Sequence, residues 1–316
     1  AVMGAISALD EALYDIAGKF YGVPVYRLLG GKCRDKVRVY NHTAGRTEEE
    51  LIENAIKGKE EGFTALGHLN PYLDEPWNQP FHDNNTQMLY NAERRIARVR
   101  EAVGEDTDLC LELHRRLEPG LAVQLSARLE PYAPMFLEDP IRPDNFDEMA
   151  RVAQQGQIPI ATGERINSLF EFEMLLERGA CSYVRASIGV CGGFTGIKKI
   201  AALAEAHHKS LVPHNPLSPV TTNALLQFCA ATDNIAICEY PDPYAASTAD
   251  HLTGSGSKLR QVDMVTQIPK FEKGYVEIPE GPGLGIDLIS DVEERFPFRP
   301  HAVGTRLNLD GSICDQ

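Results

Sequence analysis

Leu109-Cys-Leu-Glu112, Met135-Phe-Leu-Glu138 and Ile158-Pro-Ile-Ala161-Thr-Gly-Glu164 share one layout, a short apolar run that ends on or just before a glutamate. Apolar runs this short, with no alternating polar residues, fit strands buried on both faces of a parallel sheet. Helical spacing between them predicts helices over 119–131 and 144–154. The same rhythm extends in both directions. Upstream are strand Val37-Arg-Val-Tyr40, a helix opened by the capping box Thr47-Glu-Glu-Glu50 and closed at Gly62, strand Phe63 to Leu69, and a helix ending at Gly104. Downstream come helix 169–178, strand Ser182-Tyr-Val-Arg185, helix 193–208, strand Ser210-Leu-Val-Pro213, helix 219–231 and strand Ile235-Ala-Ile-Cys238. Eight strands with seven helices between them read as α/β, a modified TIM barrel of (β/α)7β type over residues 36–240. A Rossmann fold needs a glycine-rich turn after its first strand. Gly281, Gly283 and Gly285 instead come late, in a Pro-rich segment, and read as turn residues.

The flanks are different in character. Residues 1–35 open with an apolar stripe, Ile6, Leu9, Leu13, Ile16 and Phe20, at helical spacing. That stripe calls for a partner surface. Residues 241–316 lose the βα rhythm and read as a crossing segment with a short strand in Pro269 to Pro279.

With 45 acidic against 31 basic residues, the formal charge is −14, which argues against nucleic acid and anionic membrane as partners. No apolar run approaches the ~20 residues of a membrane span, and the first residues lack the basic and apolar regions of a signal peptide. Seven scattered cysteines, none in a C-x-x-C pair, fit buried reduced thiols in a cytoplasmic protein. The sequons at Asn41 and Asn84 then carry no meaning.

Glu112, Glu138 and Glu164 recur every 26 residues, about one βα unit. Neighbouring barrel strands would bring them together at the mouth, where barrel active sites lie. Three carboxylates so close need a cation, and an all-oxygen set suits a hard ion, Mg²⁺ most simply. A single glutamate there would be read as a helix cap or surface ion pair; three in register favour the metal. His114 follows Glu112 by two residues and points to the same side. His214 follows the seventh strand and Glu239 the eighth, whereas His207 and His208, on the sixth helix, read as bystanders.

Taken together, Glu112-Leu-His114, Phe-Leu-Glu138-Asp-Pro140, Ala-Thr-Gly-Glu164-Arg165, Cys-Gly-Gly193, Pro-His214-Asn-Pro and Ile-Cys-Glu239-Tyr resemble the mandelate racemase/muconate lactonizing enzyme branch of the enolase superfamily. Within it the likeness is greatest to galactonate and gluconate dehydratase-type enzymes, over nearly the whole chain. The resemblance implies a Mg²⁺-dependent hydro-lyase that converts a sugar acid to a 2-keto-3-deoxy acid through an enediolate. It also implies a small-molecule substrate, a homo-oligomer, and a capping domain of which residues 1–35 are the linker and remnant, its N-terminal segment largely missing, and towards which the tail 241–316 returns. Residue by residue, it implies Glu112, Glu138 and Glu164 as metal ligands and His214 as the base for the α-proton. His114 would be the acid for the β-hydroxyl, and Glu239 the donor to the substrate carboxylate.

Two positions depart from that pattern. The family base is a His–Asp dyad, and Ser187 stands where the Asp belongs. The Lys-x-Lys pair of the racemases is absent, with Leu66-Gly-His-Leu-Asn70 in its place, so His68 becomes a substitute acid or base, or a structural hydrogen-bonding group. The first departure keeps open a catalytically impaired metal-binding barrel. The second makes a racemase or epimerase on the same scaffold the lesser alternative to a dehydratase.

Overall fold

The apolar runs become strands in the computed structural model, which describes residues 2–73, 84–241, 243–244, 260–297 and 306–315. In chain order the elements that matter for the site are α1 (Val2–Tyr21), α2 (Val25–Leu28), β1 (Lys36–His42), α3 (Glu48–Glu60), β2 (Ala65–Leu69), α4 (Asn85–Val103), β3 (Asp108–Glu112), α5 (Pro119–Leu129), β4 (Phe136–Glu138), α6 (Phe146–Gln155), β5 (Ile160–Thr162), α7 (Leu169–Glu177) and β6 (Tyr183–Val184). They continue with α8 (Gly193–Ala206), β7 (Ser210–Leu211), α9 (Pro219–Ala230), β8 (Cys238–Glu239), β9 (Phe271–Glu272) and β10 (Tyr275–Glu277).

Thr47 caps α3 as its sequence predicts, its side chain accepting from the Glu50 amide at 3.1 Å. The return contact of Glu50 goes one residue further back than a capping box requires, to the Arg46 amide at 2.9 Å. Gly62, at φ 98°, ends the turn beyond α3. Two expectations shift. The eighth strand is Cys238–Glu239, while Ile235 forms only an isolated parallel bridge to Leu211. Among the described residues the tail holds two antiparallel pairs of short strands, the hairpin of β9 with β10 and that of Arg306–Leu307 with Ile313–Asp315. The loop expected at 70–85 lies largely outside the described residues, which omit 74–83.

The chain divides into two compact units. The second unit holds Tyr40–Gly163 and Phe170–Arg185. There the end of β1 pairs in parallel with β2, and β2, β3, β4, β5 and β6 follow in order, each parallel to the last. Helices α3 to α6 bury one face each, for example Ala92, Ile96 and Val99 of α4 at i, i+4 and i+7. The buried strand residues Leu66, Leu109, Leu111, Phe136, Leu137 and Ile160 complete this core.

The first unit holds Ala1–Val39, Glu164–Leu169 and Ala186–His301. The start of β1 pairs antiparallel with β10. α9 is almost wholly buried, from Thr222 through Ala230. α1 reverses an expectation. Its apolar stripe is exposed, Phe20 by 80% and Leu9 by 65%. Its buried residues are small, Ser7 and Gly18, Tyr14 packs its ring on Phe194 of α8, and polar side chains satisfy the open amides at the start of α8. Ser7 Oγ accepts from the Gly192 amide at 2.9 Å, and Asp10 Oδ2 from the Thr195 amide at 3.1 Å. Beside them Glu11 is pushed up to about 7, chiefly by burial and secondarily by the Asp10 charge.

Six cysteines are free among the described residues, five of them buried and Cys33 exposed. Among the described residues no helix is long and apolar enough to cross a membrane.

Glu11 sets a stability prediction. Its folded pKa lies above its unfolded value, so the folded state holds the proton longer and loses stability as pH rises from about 4.5 towards 7. Glu11→Gln is expected to stabilise the chain at pH 8 by up to about 3 kcal/mol and to change little at pH 4. Urea unfolding at both pH values checks this; equal effects at both would refute it.

Candidate active site

In the second unit Glu112 and Glu138 close β3 and β4 as register partners. Both are buried, at 2% and 1% exposure, and each offers an oxygen within 4.8 Å of the other. Each carboxylate is also held on one oxygen. Glu112 Oε1 accepts from the His114 amide at 2.6 Å. Glu138 Oε1 accepts from Arg185 Nε at 2.7 Å and from the same guanidinium's Nη2. Arg185 Nη1 donates to the Tyr40 hydroxyl at 2.7 Å, and the Arg185 amide donates to Thr162 O at 2.9 Å. In the sequence Arg185 reads only as a strand end. The signal it carries is that of a single charge inside the apolar run Tyr183 to Ile188, since a charge buried there must be paired.

The strands of this unit leave the sheet through left-handed backbone. His114 (φ 51°) and Arg115 (φ 65°) follow β3, Asp139 (φ 39°) follows β4 and Gly163 (φ 135°) follows β5, while His68 (φ 47°) lies within β2. Non-glycine residues in that region cost free energy, about 1–3 kcal/mol each, and concentrate at functional sites. A Cβ on Gly163 would lie 2.8 Å from the Phe172 ring and 3.3 Å from the Arg185 amide, so glycine is required there.

Those turns tie together a second ionic group. Asp139, fully buried, accepts from Thr162 Oγ1 at 2.6 Å and pairs with Arg115 at 3.2 Å. Arg115 Nη2 also lies 2.7 Å from His114 Nε2. A guanidinium only donates, so Nε2 accepts and the neutral ring carries its proton on Nδ1. His68 sits where the β2–β3 register slips, and its ring stacks on that of His42 with centroids 4.7 Å apart.

In the first unit His214 Nε2 lies 3.1 Å from Glu164 Oε2, and the His214 amide donates to Ala186 O at 3.1 Å. Glu239 is buried, and its Oε2 accepts from the Asn215 amide at 2.7 Å. Asn215 Nδ2 further donates to Thr222 Oγ1 and to Glu239 O. His214 and Glu239 are thus joined through Asn215, which the sequence offers only as part of the motif Pro-His214-Asn-Pro, with no role of its own. Ser187 is buried and its carbonyl accepts from Val190 and Cys191, but among the described residues its hydroxyl makes no hydrogen bond to His214. Glu164 is the carboxylate beside that imidazole. Arg165 is exposed.

A divalent cation fits this donor set. Glu112, Glu138 and Asp139 bring three negative charges to the strand ends of the second unit, and Arg185 and Arg115 offset two. Glu164 follows directly on Gly163, where β5 leaves the sheet.

Comparison with known proteins agrees. A family profile described as enolase C-terminal domain-like matches residues 77–292. A D-galactonate dehydratase of Ralstonia pickettii is 35% identical over 91% of this chain and 72% of its own length. A D-mannonate dehydratase of Caulobacter vibrioides is 32% identical over 98% of this chain and 79% of its own. Among solved structures, a mandelate racemase/muconate lactonizing enzyme from Jannaschia sp. superposes with TM-score 0.83 at 30% identity, over 96% of this chain and 76% of that one. An enolase from Agrobacterium radiobacter with bound sodium and L-malate superposes with TM-score 0.86 at 29% identity, over 99% and 79%. The chain belongs to the enolase superfamily, with the modified (β/α) barrel fold of its mandelate racemase branch. It is an enzyme whose curated relatives are dehydratases, that is carbon–oxygen lyases.

Tyr40 gives the site a packing prediction. A Cβ on Gly67 would lie 1.9 Å from the Tyr40 ring, whose hydroxyl is held by Arg185. Gly67→Ala must displace that ring, and a loss of about 1–3 kcal/mol is expected in chemical denaturation. An unchanged midpoint would mean the ring is free to move.

Proposed function

We propose that the chain eliminates water from a polyhydroxy acid, giving a 2-keto-3-deoxy acid, with Mg²⁺ held by Glu112, Glu138 and Glu164. The observation that carries this reading is the buried Glu112–Glu138 pair at matched strand ends. The curated relatives act on galactonate and mannonate, and the A. radiobacter neighbour holds a cation and a hydroxy acid. A hexonate is therefore the substrate class.

An α-proton beside a carboxylate is very weakly acidic, because its removal places a second negative charge on that group. The bound cation, by its charge, supplies stabilisation where that charge develops. His214 takes the α-proton, with Glu164 beside the ring to favour the imidazolium that forms. Asn215 holds Glu239 towards the same step, where a protonated Glu239 would donate to the substrate carboxylate. The electron pair of the broken C–H bond becomes the new C=C bond as the β-hydroxyl leaves with a proton as water, and the enol then tautomerises to the ketone.

His114 meets the departing hydroxyl, and Arg115 constrains how it does so. A ring that gave up Nδ1–H while Nε2 only accepted would be left as imidazolate. His114 therefore donates a hydrogen bond through Nδ1–H, or delivers a full proton once the Arg115 contact gives way. In the first case the protonated His214 is the proton source. The stacked His42–His68 pair supports a second reading, in which a group on β2 returns a proton to the opposite face and the reaction is an epimerisation.

A screen of sugar acids for 2-keto-3-deoxy product, with and without Mg²⁺, separates these readings. Metal-dependent product is expected, abolished in Glu138→Gln and lowered about 10²–10⁴-fold in His214→Gln. Exchange of the α-proton with solvent without dehydration would favour the epimerase, and silence across the library would contradict both.

A further inference from the structure

Glu138 meets Arg185 in an unusual way: both donors of the guanidinium fork land on one carboxylate oxygen. Nε and Nη2 both point at Oε1, while Nη1 is committed to the Tyr40 hydroxyl. A carboxylate oxygen has two lone-pair sites, so Oε1 is filled. Both side chains are buried at 1% exposure. The Arg185 backbone is fastened to β5 through Thr162 O and its guanidinium is anchored at Nη1 by the Tyr40 hydroxyl, so the fork is restrained from sliding along the carboxylate. Glu138 can therefore present a cation with Oε2 but not with both oxygens.

We infer that Arg185, held by Tyr40, is a positioning residue that keeps Glu138 a one-oxygen ligand and so sets discrimination for Mg²⁺ over Ca²⁺. The two ions differ in this respect. Mg²⁺ demands close, near-octahedral geometry, usually from single carboxylate oxygens, whereas Ca²⁺ accepts six to eight oxygens and readily takes a carboxylate by both. A Glu138 released from Arg185 is free to turn and chelate the larger ion. Glu112 is restrained similarly, one of its oxygens receiving the His114 amide. A lysine at position 185 would keep the charge but not the fork, because its ammonium is a point donor on a flexible stem. The inference rests on the proposed metal site but not on the identity of the substrate.

Calorimetric titration of metal-stripped protein with Mg²⁺ and with Ca²⁺ tests it, on wild type, Arg185→Lys and Tyr40→Phe. Tyr40→Phe removes only a hydroxyl, so it keeps the test alive if the buried Arg185→Lys change prevents folding. Arg185→Lys is expected to weaken Mg²⁺ binding about 10–100-fold, in line with loss of an outer partner of a metal ligand, while Ca²⁺ binding holds or tightens. Tyr40→Phe should move the Mg²⁺/Ca²⁺ ratio in the same direction by a smaller factor. Wild-type selectivity retained in both variants would overturn the inference while leaving the metal site standing. Absence of any divalent binding to wild type would overturn both.

Discussion

Two glutamates buried side by side at the ends of paired strands form an arrangement that electrostatics opposes. Glu112 and Glu138 offer oxygens within 4.8 Å of each other, where two bare charges repel by roughly 3–4 kcal/mol even at an effective dielectric of 20. That is a large share of the 5–15 kcal/mol by which domains are stable. The strand ends of the second unit are organised around offsetting it. Arg185 neutralises Glu138 from inside the sheet, Tyr40 fixes Arg185, and Gly67 makes room for Tyr40. Asp139 and Arg115 then form a second ion pair in the turns that follow, at the cost of three left-handed non-glycine residues. The residual charge is negative, which is what a site for a divalent cation requires.

The βα rhythm is legible in the sequence because parallel strands buried on both faces leave short, unbroken apolar runs, and because caps such as Thr47 and Gly62 are local signals. Element ends differ by a few residues, most at Ile235 to Glu239, where the run is apolar throughout and nothing local says which part pairs. The orientation of α1 is not legible. Its apolar stripe invites burial, but Ser7 and Asp10 are turned inward, supplying the acceptors that the amides at the start of α8 need and that Leu9 lacks.

At the site, the spacing of Glu112, Glu138 and Glu164 reflects the length of a βα unit and can be read from residue order alone. What holds them cannot. Positive φ at His114, Arg115 and Asp139 leaves no mark in residue type, and the Arg115 contact that fixes the His114 tautomer depends on it. By its place in the sequence Ser187 stands in for the dyad aspartate. In the fold it is Glu164 that lies beside His214, a pairing of residues 50 apart in sequence that no local pattern announces.

Everything proposed for the site depends on the strand-end glutamates holding one cation. Crystals grown with Mn²⁺ in place of Mg²⁺, with anomalous diffraction recorded at the manganese edge, test that directly. A single strong peak is expected, bonded to one oxygen each from Glu112, Glu138 and Glu164, with Arg185 still on the far oxygen of Glu138. No peak there, or a manganese ion held by the His42–His68 pair instead, would contradict it.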